Sequence, residues 1–342
     1  MSRSCRAESE KDRHAKLQFT CAVRNDTQEP SLFEPLVSIV ILNYKRLDAL
    51  ELTLESVAGQ NYARTEVIVV DNHSEQDVAG VVSRFGSQIH LIELETNLGA
   101  CGGRNAGIRS AAGDIIITLD NDVSFLSPSA IDRVVAIFRE RPDFHVLAFQ
   151  LRDAVTGDMR LREWCHPKDW RLFSEAQFET HFFVEGAAAY RREVFDNVGG
   201  YFEPLFVYNE GWDFGLRILD CGFRILYAPE IKVRHLMSAE ARSKSRTIYL
   251  FTRNYLWIAY KDYPVWEGIR FAGFRLLMMC IHAIRARYPS SFLLGLLHGF
   301  GGWSRIKRRP VNKRTVAHIA ALDRQRPNLF IRAMRHRRAP QL

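Results

Sequence analysis

Two carboxylates two residues apart, Asp120 and Asp122, close the run GDIIITLDNDV at residues 113–123. Acids at this spacing, on a chain just leaving regular structure, can turn together onto one hard cation, and a divalent metal is the common reason to tolerate two adjacent anions. Asp-Asn-Asp is equally at home as a plain polar turn after a core strand. The residues before it fix where it lies. Residues 115–119 are apolar or β-branched with no polar alternation, which predicts a short strand buried on both faces. Ligands of open α/β sheets bind at the carboxyl ends of such strands.

Similar units surround this one. Residues 36–42 (LVSIVIL) predict a buried strand that leaves through Asn43, Tyr44, Lys45 and Arg46. Asp48 is a candidate N-cap for a helix carrying Leu50, Leu54 and Val57 on one face and ending near Gly59. Residues 66–70 predict a second buried strand, again running into polar residues (Asp71, Asn72, His73, Ser74), and residues 89–93 a third. NLGACGGRNAGI (97–108) places four glycines before or inside a helix. Glycine lets a backbone approach a phosphate or ribose closely, although a tight connection with packing glycines explains it equally well. No Gly-Lys-Ser/Thr follows and the dinucleotide spacing is absent. Strand and helix alternate as far as Asp122, which predicts a mostly parallel sheet with helices on both faces.

Beyond it the pattern predicts a helix at 131–139 and a strand at 145–150, and leaves 151–180 unassigned. FVEGAAAY (183–190) is a small-residue segment suited to lie against a ligand, and GGYFEPLFVYN (199–209) reads as an aromatic turn. A helix at 212–221, a strand at 224–227 and another ending at His235 follow. Helices at 248–260 and 266–286 come next. In the second, Glu267, Arg270, Arg275, His282 and Arg285 share one arc, and Trp266, Ile269, Leu276, Cys280 and Ile284 the opposite one. SFLLGLLHGFGGW (291–303) reads as a short, hairpin-like apolar piece before an arginine-rich end.

The chain has 342 residues, 47% hydrophobic and 25% charged, in the range of a globular protein. Six scattered cysteines with no CxxC pair suggest neither a zinc ribbon nor a disulfide framework. No apolar h-region marks a secretory signal, and no stretch reaches the ~18 residues of a spanning helix. The net charge is +8, yet residues 301–342 alone hold 12 Lys and Arg against one acid, Asp323. That basic end suits nucleic acid, an anionic bilayer or plain solvation. Nucleic acid is disfavoured, because no aromatic side chain is interleaved with the arginines before Phe330 and no recognition motif is present. Amphipathic helix, apolar segment and basic cluster together suit a protein lying on an anionic membrane; a helical subdomain with a solvated tail is the plainer alternative. The expected organisation is a disordered leader (1–34), a catalytic domain (35–240), an amphipathic helical subdomain (241–303) and a basic tail (304–342).

Six pieces taken in order, VSIVILNYKR, VIVVDNHS, NLGACGGRNAGI, LDNDV, GGYFEPLFVYNEGWDFGLR and YAPEIKVRH, with Arg253-Asn254 further on, resemble the GT-A fold glycosyltransferases of family 2. The likeness lies with the rhamnosyl- and galactofuranosyl-transferase-like branch and covers about residues 36–254. It implies a Rossmann-like GT-A domain with a C-terminal helical extension. It also implies a nucleoside-diphosphate sugar as donor, dTDP- or UDP-linked, and Mg2+ or Mn2+ as cofactor.

The resemblance carries over by position. Asp71 corresponds to the acid contacting the base, Arg104 and Asn105 to the polar pair near the nucleotide, and Asn43 and Asn121 to neighbouring nucleotide-sugar contacts. Asp120 and Asp122 correspond to the DXD carboxylates, and His235 to the histidine closing the metal site. In the family an acidic pair begins the helix that here starts at Glu210. The second member of that pair is Gly211 in this chain, so the catalytic base is Glu210 or, as second choice, Asp213; capping of the helix is the plainer role for both. Trp212 would form an apolar wall for the sugar. The implied activity is an inverting, metal-dependent transfer of a sugar to a hydroxyl of a glycan or lipid-linked acceptor, on the cytoplasmic face of a membrane. A catalytically weak sugar-nucleotide-binding protein of the same fold is the alternative, motivated by Gly211.

Overall fold

Alternate side chains of the first strand enter two different cores, which is why its sequence lacks polar alternation. In β1 (Val37–Asn43), Val37, Ile39 and Ile41 join one apolar cluster, while Val40 and Leu42 join the other. The computed structural model describes residues 34–236 and 243–327, and from Pro35 onward the chain forms one packed unit. The expected leader, residues 237–242 and the end of the expected tail lie outside the described residues, apart from Glu34.

The remaining strands are β2 (Thr65–Asp71), β3 (His90–Glu93), β4 (Ile115–Asp120), β5 (Val123–Phe125), β6 (Val146–Asp153), β7 (Phe178–Thr180), β8 (Ala187–Arg191) and β9 (Ile225–His235). They pair in the order β3-β2-β1-β4-β8-β6-β9-β5, with β7 also on β9. The first four run parallel, as do β6 and β9. β8 runs antiparallel to both its neighbours, and β5 and β7 run antiparallel to β9, so the parallel pattern breaks beyond β4.

Helices α1 (Leu47–Ala58), α2 (Val78–Ser83) and α4 (Ala130–Glu140) cover one face. The other is covered by α3 (Gly99–Ser110), α6 (Arg192–Val198) and α7 (Glu210–Asp220), while α5 (Trp170–Phe173) is a single turn. The C-terminal helices α8 (Lys244–Asp262), α9 (Val265–Arg285), α10 (Pro289–Gly301) and α11 (Lys313–Asp323) extend this second layer; Ile258, Phe271 and Ile319 enter its core. This is the expected mixed α/β, Rossmann-like sheet with a C-terminal helical extension. No helix among the described residues is long and apolar enough to cross a membrane.

Several local expectations change. α1 starts one residue before Asp48, after Arg46 in a left-handed conformation; Asp48 lies in its first turn, where an acid favours the helix dipole rather than capping it. The two strands expected at 224–235 are one, kept continuous by a register shift opposite Phe149 and Gln150. The apolar piece at 291–303 is mostly helix α10: an added Cβ at Gly295 would stand 2.7 Å from Thr252 and at Gly299 2.4 Å from Leu256, so both glycines permit close approach to α8. The basic stretch from 304 does not run free through 327. Asn312 and Thr315 each place a side chain 2.6 Å from Asp220, which docks α11 on α7.

Two histidines make this fold sensitive to acid. Burial, aided by Arg191, lowers His145 to about 4, and burial, aided by His181, lowers His166 to about 3. The unfolded chain therefore takes up more protons than the folded one below pH ~6.5, and stability present above that value is lost as pH falls toward 4 and 3. Urea midpoints measured at pH 7 and pH 5 should be lower at pH 5, with a smaller difference in His166→Asn.

Candidate active site

The polar residues that end each parallel strand bind one another. Asn43, last in β1, donates to Asp71 Oδ1, last in β2, at 2.9 Å and accepts from Asn121 Nδ2 at 2.8 Å. Asn121 also donates to the Lys45 carbonyl at 2.7 Å, and the other Asp71 oxygen accepts from the Ser74 amide at 3.2 Å. The carboxyl edge is thus a buried network spanning three strands, and it spares these groups an unpaired polar atom. Asn72, to which the sequence reading gave no role, accepts from the Leu98 amide at 2.8 Å and donates to the Gly99 carbonyl at 3.0 Å, holding the start of α3. Within α3, Gly103 and Gly107 serve packing: a Cβ would lie 2.4 Å from Leu42 and from Val40, respectively.

Arg104 is the hinge of the site. It is buried, with Nη2 2.5 Å from Asp120 Oδ1 and Nη1 3.3 Å from Glu210 Oε1. Burial opposes its charge, yet the two carboxylates push the guanidinium well above its ordinary value. Burial raises Glu210, while Arg104 pulls it back only in part. Close by is Glu185, whose carboxyl is driven well up by burial and then by Glu210. Sequence reasoning saw only a small-residue segment there; an acid inside it was the available signal.

Asp122 and His235 meet because β5 pairs antiparallel with β9, setting Val123 opposite His235. The Leu236 amide donates to the Asp122 carbonyl at 2.8 Å, and His235 Nε2 lies 3.4 Å from Asp122 Oδ1. Behind the ring, Nδ1 is 3.1 Å from the Glu163 carboxylate, a residue within the stretch left unassigned from sequence. Burial disfavours the imidazolium, but hydrogen bonding to Asp122 and Glu163 raises His235 to about 10. Burial likewise works against ionised Asp122; His235 and Arg46, the latter 2.7 Å away, outweigh it and hold the carboxyl low.

A divalent metal fits this pair. His235 Nε2 is buried and stands 3.4 Å from the Asp122 carboxylate; a metal would take the place of the imidazolium proton between them, and neutral imidazole with oxygen donors suits Mn2+. No group of three metal-binding side chains stands ready among the described residues, so the remaining ligands would have to come from substrate oxygens and water. Asp120, expected beside them, has its carboxylate on Arg104 instead.

Three other expected site residues are engaged with the surrounding fold. Asp213 is fully buried, 2.6 Å from Arg217 and 2.5 Å from Lys261, which also touches Asp262 at 2.5 Å. Burial works against its charge, but Arg217 and Lys261 lower it to about 2, and a carboxylate so committed is a poor proton acceptor. Asn105 spends both ends of its amide on the Tyr201 backbone, at 2.9 and 2.8 Å. Trp212 packs against His181, Phe182 and Phe271, with Arg275 over its face at 4.7 Å, because its place on α7 turns it toward the C-terminal helices.

Glu210 owes its place to distant residues. Asn254 Nδ2 donates to the carbonyls of Leu205, Val207 and Tyr208 at 2.8 to 3.1 Å, and Arg253 adds bonds to those of Pro204 and Leu205. Phe206, Tyr208 and Asn209, which lead into α7, all have positive φ. That costly backbone persists because the clamp over-determines it.

Residues 38–199 match the family model for glycosyl transferase family 2. The match takes in a little under half of the chain. It is 28% identical over 228 residues to the uncharacterized glycosyltransferase YwdF of Bacillus subtilis, covering 64% of this chain and 81% of the relative. Against the O-antigen chain rhamnosyltransferase WbaN of Salmonella anatum it is 27% identical over 180 residues, covering 50% of this chain and 56% of the relative. The mannosyltransferase PcManGT from Pyrobaculum calidifontis, solved in complex with GDP-Man and Mn2+, superposes with a TM-score of 0.54 at 15% identity, covering 91% of this chain and 89% of that one. That last likeness shows a shared fold alone. The six motifs of the sequence reading run through the matched residues and past them to α7 and β9.

The two acids of α7 should part company on substitution. Asp213→Asn, which leaves Lys261 and Arg217 short of a buried partner, is expected to cost about 3–5 kcal/mol in urea unfolding. Glu210→Gln, which keeps a side-chain oxygen facing Arg104, should cost less than half as much in the same measurement.

Proposed function

We propose that the chain is an inverting, metal-dependent glycosyltransferase, moving a sugar from a dTDP- or UDP-sugar to a hydroxyl of a glycan or lipid-linked acceptor. The observation that carries the reading is the meeting of Asp122 and His235 at 3.4 Å on the rim that also holds Arg104, Asp120 and Glu210. The match of residues 38–199 to the glycosyl transferase family 2 model and the naming of the relatives support the reaction class.

On this reading Asp71, Asn43 and Asn121 keep the nucleotide end of the cleft rigid, and Arg104 holds Asp120 in place for the ribose. Asp122 and His235 would hold Mg2+ or Mn2+, which would neutralise the charge growing on the departing diphosphate. The acceptor hydroxyl must lose its proton to a carboxylate on the opposite side of the sugar. Of the two sequence candidates, Glu210 stands in the cluster beside Asp120, and Asp213 is engaged elsewhere.

The acceptor side is proposed to face an anionic membrane. Part of the apolar arc of α9 points outward, Trp266 at 75% exposure and Ile284 at 63%, with Leu297 on α10 at 67%, while Leu276 packs on the second core. Arg275, on the opposite arc, lies inward over Phe271 at 4.0 Å. Exposed Arg270, Arg285 and Arg287 accompany the outward apolar side chains, a composition that suits an interface between acyl chains and anionic headgroups.

Incubation with Mn2+ and a panel of sugar nucleotides should release nucleoside diphosphate from one donor, and EDTA should stop it. Asp122→Ala should lower kcat/KM by about 100-fold or more, a loss of ~2.7 kcal/mol; full turnover in that variant would remove the metal from the reading. In a separate flotation assay with anionic liposomes, the chain should rise with the lipid at low salt and less at high salt. Trp266→Ser combined with Leu297→Ser should abolish flotation, and a wild-type chain that stays at the bottom at both salts removes the membrane surface.

A further inference from the structure

The turn before β8 carries an acid that the reading above leaves without work. Glu185 follows Val184 and precedes Gly186, where an added Cβ would stand 2.3 Å from the Asp120 carboxylate; the Gly186 carbonyl accepts from the Asp120 amide at 3.1 Å. The Thr118 hydroxyl donates to the Glu185 carbonyl and pins the turn to the strand that ends in Asp120. From there the side chain reaches the first turn of α7. A Cβ built on Gly211 would lie 2.2 Å from Glu185 Oε1, so this carboxylate fills the volume that any side chain at 211 would occupy.

Two carboxylates therefore stand at the head of α7, delivered by different elements. They differ in their commitments. Glu210 is ion-paired to Arg104 at 3.3 Å, a contact that weakens it as a proton acceptor. Glu185 makes no ion pair with any described residue. Its seat is fixed by the Thr118 bond at one end and by the absence of a side chain at 211 at the other.

We propose that Glu185, seated in the space left by Gly211, is the carboxylate that takes the proton from the acceptor hydroxyl, with Glu210 as a positioning residue held on Arg104. The inference rests on the transfer reading and refines it. As the acceptor oxygen forms its bond to C1 of the sugar, the hydroxyl proton passes to Glu185 in its ionised form. Because burial and Glu210 favour the protonated carboxyl, kcat rises with pH as that form is lost. The C1–O bond to the diphosphate breaks, and its electron pair leaves with the nucleoside diphosphate.

The test uses the full chain with Mn2+ and the sugar nucleotide that the wild type consumes, following release of nucleoside diphosphate. Glu185→Gln should lower kcat by about 100-fold or more, in the range of a lost general base, while KM for the donor and Kd for the free nucleoside diphosphate stay within about threefold. Glu185→Asp should retain an intermediate rate, and formate, a small carboxylate able to enter the vacated volume, should restore part of the rate of Glu185→Ala. The proposal is overturned if Glu185→Gln keeps more than about a third of kcat, or if its affinity for nucleoside diphosphate falls in step with kcat. Either result leaves the transfer reading standing. A wild type that consumes no sugar nucleotide overturns both.

Discussion

A guanidinium buried between two carboxylates sets the geometry of the whole rim. Arg104 joins the end of β4, through Asp120, to the start of α7, through Glu210. Removing such a charge from water costs several kcal/mol, and the cost is offset only because both partners are close and fixed. Asp120 is placed by a strand at the centre of the sheet, and Glu210 by a loop that Asn254 clamps. Two separately folded pieces thus come to a set spacing around one cation. A cluster so constrained holds its shape without ligand, which is the condition for electrostatic stabilisation without reorganisation during reaction.

Much of this was legible in the order of residues. The double burial of β1, β2 and β4 showed in their unbroken apolar runs, and the polar side chains after each run marked the edge where the Asn43, Asp71 and Asn121 network forms. Asp122 and His235 lie far apart along the chain, and no local pattern joins them. Their meeting depends on the three-residue strand β5 reversing onto β9, a pairing too short to leave a periodic signature. Asp213 misled for a related reason. An acid in the first turn of a helix looks available until its neighbours are known, and Lys261, which takes it out of service, comes from another helix. Trp212 is similar: its neighbours Phe271 and Arg275 come from the C-terminal extension. Glu163, which steadies His235, lay in a stretch without periodicity.

Backbone conformation adds a second layer of constraint at the same edge. Lys45 and Arg46 after β1, His73 and Glu75 after β2, and Phe206, Tyr208 and Asn209 before α7 all have positive φ. Each such residue costs of order 1–3 kcal/mol; four follow β1 and β2, three precede α7, and, glycines aside, among the described residues only Arg287 lies elsewhere. The polar network of Asn43, Asp71 and Asn121 and the clamp of Asn254 hold these turns. Stable cores on both faces of the sheet can sustain that local expense.

The Asn254 clamp has a consequence for how such proteins are assembled. The segment that matches the family model ends at 199, yet the residue beside Arg104 at the head of α7 is held by an asparagine more than fifty positions beyond that limit. The sheet edge carrying Asn43, Asp71 and Asn121 could travel between genes as a module; the head of α7 could not follow without α8. The inheritable unit is thus longer than the recognisable one, and a recombinant that joined this segment to a foreign C-terminal region would keep the polar network at its sheet edge while losing the clamp that sets Glu210.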